Sequence, residues 1–570
     1  MSYRIAIIGG GPSALFTVYQ LSRRELDGLS IDIYEQSSCL GYGMPYGPSG
    51  AGHEHWSNVS SDEVPPLPES LKDWIASLPD SDMHAFGMDK SAFHEKQVVP
   101  RLLLGQYLHA QFTKVIHVER NRGIPIRVRL NNRVCDISYS CGSQKFHVIC
   151  SEPPGQTFDS VIICTGHVWP KSTENGCEGF FESPYPPSKL EKTFNHPVAL
   201  KGSSLTAIDA ALTLSKANGK YSRVGRRLQY QRNAESTEFQ LNMFSLGHFP
   251  SVRFHIDQPM METNDTLSDE SIQKHKTDNN GFISLDFLFE RNFKRLLMLR
   301  DNLRYRAVMD KNVEEFCQWV TASRMEFDPF ALLKADYLQA EKSIHFQESI
   351  VWKELVTVLN ATLNEPAKYF SAEDYLRFKN MLVPLISDII GQIPQSSAEH
   401  LLALHEAGVL ALAVTSNDSK VEVIDNHEIR YAYTTKSGIC KHQTFKTFVD
   451  CTGQVPLGHK DLPFRSLLED VDIGSAAVRF RASSTAIESR NINSIAVRTY
   501  DNSIFYLMVG GVAITDSFQL VLSDGRVFDN CFITAVPFIS GFNPDYSGLD
   551  ICHNAAVLIA EKIESVLTNP

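Results

Sequence analysis

The chain has 570 residues, 43% hydrophobic and 21% charged, with a formal net charge of −12. That length exceeds one compact core and implies several domains, while the acidic balance argues against nucleic acid or an anionic membrane as the main partner. No apolar run approaches a membrane span, and the eleven cysteines, scattered and never in C-x-x-C pairs, fit reduced thiols in a cytoplasm.

The opening "MSYRIAIIGGG" lacks the regions of a signal peptide and runs directly into a glycine turn. A buried strand, Ile5–Ile8, leads into Gly9-Gly10-Gly11-Pro12-Ser13-Ala14 and then a helix through about Leu21. Gly9 permits the tight turn, Gly11 lets a pyrophosphate approach the backbone, and the small Ala14 lets helix and strand pack closely. The N–H groups of the first helical turn, around Pro12 and Ser13, then face the phosphates. A second strand, "LSIDIYE", ends in Glu35, about 20 residues on, where the ribose-binding acid belongs. A carboxylate there accepts from ribose hydroxyls and repels a 2′-phosphate, so the site suits FAD or NAD rather than NADP.

After Glu35-Gln36 come the G-x-G-M-x-Y run Gly41–Tyr46, the pair Asn58-Val59, the R-x-x-x-G-x-Y-L run Arg101–Leu108 and a strand ending in Thr165-Gly166. This order resembles the bacterial FAD/NAD(P)-binding flavoproteins related to two-dinucleotide-domain flavin monooxygenases and N-hydroxylases. The resemblance runs from "IAIIGGGPSA" to "ITAVPFISGFNPDYSGLDICHNAA". It implies FAD as cofactor, with Gly43 bringing backbone near it and Met44 and Tyr46 as walls of the flavin pocket. Asn58 offers an amide to the flavin edge or ribityl chain, and Thr165-Gly166 passes the adenosine half. Near the end, Ser547, Gly548 and Leu549 open a helix whose N–H groups face the pyrimidine of the isoalloxazine. His53 and His55 form an H-x-H in a glycine-rich loop without further ligands, so both are expected at the surface and no metal site is expected.

"VALKGSSLTAIDAAL" (198–212) has the strand, glycine and helix of a second dinucleotide unit, with Ser204 in place of the middle glycine. In the resembled group G-[ST]-S-L-[ST]-A-I-D is a common variant, so Gly202, Ser203 and Ser204 are candidate contacts for a second nucleotide, NADPH or NADH. The following strand of relatives ends in a serine-arginine pair whose arginine grips the 2′-phosphate. Here Ser245 is followed by Leu246, which forms no charge-assisted bond. His248 and Arg253 are cations nearby in sequence, outside the matching position.

Residues 258–282 read as an exposed polar loop, and 283–395 as helical. Ser396-Ser397-Ala398-Glu399 has the pattern of a capping box for the next helix, with Gly408 at its C-terminus. "VLALAV" returns to strand, and a second T-G, Thr452-Gly453, follows. The expected fold is α/β: a Rossmann-like FAD-binding domain (1–196 and 454–570) with an inserted second nucleotide-type α/β domain (197–282 and 396–453). That second domain carries a helical insertion, 283–395, read as a substrate lid.

The function these features favour is an FAD-dependent oxidoreductase, foremost a cytoplasmic flavin monooxygenase. Its C4a-hydroperoxyflavin would hydroxylate a small molecule, N-hydroxylation included. No catalytic acid or base stands out. An FAD oxidase or partner-reduced flavoprotein that does not use NADPH directly remains open, as does a non-catalytic flavin-binding sensor or scaffold.

Overall fold

The computed structural model describes residues 3–568 except 25, 152–154, 168–173, 175–176, 258–265, 425–427, 491–496, 501–503 and 545–547. Its architecture rests on two open parallel sheets. The first has six strands in the order Gln519–Val521, Val527–Ile533, Ser160–Ile163, Tyr3–Ile8, Leu29–Tyr34 and Ile126–Arg129. All neighbours are parallel except the edge pair Gln519–Val521 with Val527–Ile533. Ile5, Ile7, Val161, Ile162 and Ile163 have no exposed surface, as a sheet covered on both faces requires. Both ends of the chain build this sheet, because Cys531 pairs with Val161 and Ile5 with Ser160. The closing helix Leu549–Thr568 packs on the first helix, Pro12–Ser22.

The second sheet is wholly parallel, in the order Phe180–Phe181, Thr447–Asp450, Pro197–Lys201, Gln240–Ser245 and Leu410–Val414. The lysine at the end of an apolar strand has a local reason: Lys201 Nζ lies 3.4 Å from Asp450 Oδ2 on the neighbouring strand. Between Gln240–Ser245 and Leu410–Val414 the elements among the described residues, from Asp269–Asp278 to Gln395–Glu406, are all helices. Most of these helices share one hydrophobic core with Ala476, Val478, Leu507 and Val509, from a three-stranded antiparallel sheet formed later in the chain, while Pro329–Phe346 and Gln395–Glu406 pack into the core of the second sheet.

Two local expectations are corrected. Within 258–282, Asp269–Asp278 is a helix capped by Ser268, though none of its residues is buried; residues 258–265 lie outside the described residues. The helix expected to start from a capping box at Ser396 is Gln395–Glu406, with Pro394 as its N-cap. Pro394 has extended backbone and its carbonyl accepts from Ala398, so Ser396 and Ser397 fall inside the first turn. Gly408 closes this helix with φ +66, Val409 N donating back to Leu404 O.

Candidate functional site

A cavity of about 2040 Å³ begins at the C-terminal ends of the first sheet's strands and extends under the helical segment. Gly9, Gly11, Pro12, Ser13, Glu35, Gln36, Gly43, Met44, Tyr46, Asn58, Thr165, Gly166, Gly548 and Leu549 all line it. Ala14 stands behind the lining, fully buried where the first helix meets the sheet. Ser547 lies outside the described residues.

The glycines of the first turn differ in what requires them. Gly9 has φ +102, and a Cβ there would meet Cys164 O at 2.3 Å, so the protein itself demands a glycine. Gly11 has ordinary backbone, φ −80, and a Cβ would approach only Gly43, 3.3 Å from its Cα and 3.7 Å from its N. What Gly11 keeps open is the cavity. Glu35 holds the rim, with Oε2 accepting from Gly10 N (2.8 Å) and Oε1 from Ser37 N (2.7 Å). Each oxygen keeps acceptor capacity for a sugar hydroxyl.

The G-x-G-M-x-Y run forms the short helix Gly43–Tyr46, which lies on the helix Arg101–Asn121. Gly105 makes that possible, since a Cβ there would meet Tyr46 O at 2.2 Å. Burial pushes the Tyr46 hydroxyl's pKa up, keeping it neutral. The closing helix brings its tip to the dinucleotide turn, where Ser13 Oγ and Cys552 Sγ are 3.3 Å apart. Asp550 joins the lining there, and burial pushes its carboxyl above the usual range.

At the dinucleotide end of the cavity, Asn132 Oδ1, beside Glu35, and Thr165 Oγ1, beside Gly9, are buried polar atoms with no protein partner. Such atoms are costly unless a ligand or water satisfies them. Their positions fit the adenosine half of a dinucleotide running from Glu35 past Gly9 and Gly11. The residues present therefore fit FAD.

The second candidate nucleotide motif is arranged differently. Gly202 has φ +124 and makes the turn. Ser203 is buried, its hydroxyl within hydrogen-bond distance of Ser245 Oγ (2.8 Å) and His248 O (2.9 Å). Ser204 is exposed at the N-cap of the helix Leu205–Asn218. None of the three lines the large cavity, which Leu205 does reach, whereas Thr206 lines a cavity of about 160 Å³ between the two sheets. Leu246 is 58% exposed. His248 is buried and donates from Nε2 to Phe327 O, and burial lowers its pKa. Arg253 is buried and faces the first domain, with Nη1 donating to Asn58 O (2.6 Å) and Nη2 to Ser60 Oγ (2.9 Å).

Several contributors to the site escaped the sequence reading. Arg101 Nη1 lies 2.5 Å from Asp209 Oδ2, which also accepts from Tyr185 OH (2.7 Å), so a mostly buried ion pair joins the two sheets beside the cavity. Arg101 and Asp209 each belong to a quoted motif, but nothing in either motif announces the pairing. His55 is 1% exposed rather than at the surface, with Nε2 3.0 Å from Thr213 Oγ1 in the same interface, while His53 is exposed as expected. His167, just after the first T-G, hydrogen-bonds Gln454, just after the second. No group of three or more metal-ligating side chains occurs among the described residues, and none of their helices is long and apolar enough to cross a membrane.

Residues 6–168 match the family described as FAD-NAD(P)-binding, and residues 268–390 match the YdhS-like middle domain. The chain is 27% identical over 474 residues to "Uncharacterized protein YdhS" of Escherichia coli (strain K12), an alignment covering 82% of this chain and 86% of that protein. Among solved structures, the ornithine N-hydroxylase of Kutzneria sp. 744, with reduced FAD, NADP+ and L-ornithine, superposes with a TM-score of 0.50. It is 12% identical, with 99% of this chain and 100% of that one covered. The reduced ornithine hydroxylase PvdA of Pseudomonas aeruginosa also gives 0.50 at 12% identity, covering 98% of each chain. At that identity the likeness is one of fold: an α/β architecture with a Rossmann-type FAD-binding domain.

Proposed function

We propose that this chain is an FAD-dependent oxidoreductase, specifically a monooxygenase that hydroxylates a small molecule. The observation that carries this reading is the single cavity of about 2040 Å³ joining the dinucleotide turn to the helical segment. Ligand pockets commonly span about 300–1,000 Å³, so this one has room for a dinucleotide and a second molecule. The fold is shared with two amino-acid hydroxylases, which favours N-hydroxylation among the chemistries open to a flavin.

In this reading 1–196 and 454–570 form the FAD domain, 197–282 and 396–453 the second nucleotide-type domain, and 283–395 the wall over the substrate. Gly11 and the first-turn N–H groups of Ser13 and Ala14 receive the pyrophosphate, and Glu35 orients the ribose. Met44, Tyr46, Asn58, Gly548 and Leu549 surround the isoalloxazine. When bound, FAD supplies two-electron chemistry and the activation of dioxygen. The chain's own part is to orient the two molecules and exclude water, which the helical wall does by closing the cavity's far side. The acidic chain, whose eleven cysteines form no disulfide among the described residues, suits a small-molecule enzyme of the cytoplasm.

A second reading, an FAD enzyme reduced without NADPH, is favoured by one specific place. At Leu246 there is a leucine where a phosphate anchor is needed, and a Cβ on Gly247 would sit 3.8 Å from the Asp388 carboxylate. Arg324, whose charge acts on His248 and Asp388, is committed to Phe249 O (3.1 Å) and Asp336 (3.5 Å). Anaerobic reduction of the flavin by NADPH and by NADH, followed by oxygen uptake on admitting air, separates the readings. The monooxygenase reading expects nucleotide-driven reduction and substrate-dependent uptake. A flavin that neither nucleotide reduces contradicts it in favour of partner reduction.

A further inference from the structure

The part of the cavity beneath the helical segment has a chemistry of its own. Thr357, Asn360 and Asn364 are spaced three and four apart along and just beyond the helix Val351–Leu363, and so share one face. All three are buried and line the cavity. A polar stripe on a helix normally faces water; this one faces an internal space. Opposite it the chain makes a π-helical turn, Glu290–Lys294, which packs against that helix and presents Asn292. Such turns are frequent at functional sites. Asn292 is 1% exposed; its Oδ1 accepts from Leu267 N (3.0 Å), and its Nδ2 has no protein partner. A complementary orphan comes from the C-terminal part. Asn543 is 4% exposed and lines the same cavity with Oδ1 unpartnered, two residues beyond Gly541, whose carbonyl accepts from Tyr375 of the helical segment. One free donor and one free acceptor thus face a space large enough for a guest.

The charged side chains lining this lobe are carboxylates, Asp269, Glu365 and Asp516. They come from separate elements, and at Glu365 burial raises the proton affinity, Lys368 opposes it, and the charges of Asp516 and Asp269 add to it. The neighbouring Lys368 is already paired with Asp516. The cations lining the cavity are Lys96, Arg101, Arg133 and Arg253, all from elsewhere in the chain, and Arg101 and Arg253 are held by Asp209 and Glu63. An anion entering this lobe would meet an excess of carboxylates, with its lysine, Lys368, already neutralised by Asp516; an ammonium group would meet Asp269 and Glu365.

We propose that the lobe framed by Asn292, Asn360, Asn364, Glu365 and Asn543 is the substrate site. Its guest is a small, positively charged molecule that also bears a hydrogen-bonding group and carries no carboxylate or phosphate. The inference rests on the reading of the adjoining space as the flavin site and adds the class of molecule bound next to it. Asn292 Nδ2 donates to the guest's hydroxyl or carbonyl, Asn543 Oδ1 accepts from its N–H or O–H, and Glu365 with Asp269 supplies the field that selects the cation.

Three probes of one chain length separate charge from shape: 5-aminopentanol, pentanediol and 5-hydroxypentanoate, each titrated by calorimetry into the oxidised FAD-loaded protein. The aminoalcohol should bind about ten-fold more tightly than the diol, and the hydroxyacid should give no saturable heat. Glu365→Gln should abolish the preference of aminoalcohol over diol, with FAD content unchanged. Asn292→Leu should weaken aminoalcohol and diol together. The proposal is overturned if the hydroxyacid binds as tightly as the aminoalcohol, if no probe binds, or if both variants titrate like the parent. Glu365→Gln changes no buried packing, so the test survives a poorly folding Asn292→Leu. Oxygen uptake is read separately. Binding without uptake leaves the site standing and removes the monooxygenase reading; uptake indifferent to both variants removes the site and leaves that reading.

Discussion

Gly11 and Leu246 are single residues on which the nucleotide assignments turn. At Gly11 the protein leaves nearly ordinary room for a side chain, so Gly11→Val should fold yet lose FAD, its methyls filling the pyrophosphate path. Flavin content of the purified variant checks this, and full occupancy would place the site elsewhere. At Leu246 the side chain is exposed and the nearby histidine and arginine are committed, so the parent should discriminate little between NADPH and NADH. Leu246→Arg should improve NADPH by about ten- to a hundredfold and leave NADH unchanged, since only the 2′-phosphate gains a charge-assisted partner. Tight NADPH binding by the parent with strong discrimination against NADH would contradict this. Asp388 makes a third test at the same place. Burial pushes its carboxyl up to about 6, above the value it has when unfolded. The folded state therefore holds a proton that the unfolded state has lost, and stability should fall as pH rises from about 4 to about 6, then level off. Asp388→Asn should remove that fall and add about 1–2 kcal/mol at pH 7, read by denaturation at several pH values.

At the scale of elements, each glycine motif was legible as a motif, but its partner element was not. The run Gly41–Tyr46 and the helix at Arg101 were both recognisable in the sequence. That Gly105 exists to let Tyr46 lie against the helix is a tertiary fact, invisible to spacing. The same holds for Asp209, the last residue of its quoted motif, which serves as counter-ion to Arg101 across the two sheets. Removing it should leave Arg101 buried without a counter-ion, so Asp209→Ala should cost about 3 kcal/mol and Asp209→Asn less, seen as lowered thermal midpoints. Equal midpoints for the parent and Asp209→Ala would mean the pair holds nothing together. His55 was misread for a related reason: glycine-rich loops usually run over the surface, and here the second sheet's helix covers the loop.

For the whole molecule, the order of motifs announced a two-sheet flavoprotein architecture, and both sheets carry their motifs at strand ends as the α/β class demands. What stayed hidden is how the helical segment is rooted. Its core includes Ala476, Val478, Leu507 and Val509, so it leans on strands formed well after it in the chain. Its deletion would expose those strands, and point variants within the cavity are the sound way to probe it. The polar lobe was equally hidden, because Asn292, Thr357 and Asn543 read as ordinary polar residues until a common cavity collects them. The measurement that bears most directly on the central claim is the identity of the molecule released when the purified protein is heated. Mass analysis should find FAD, close to one per chain; FMN, or a colourless protein releasing no flavin, would contradict the account.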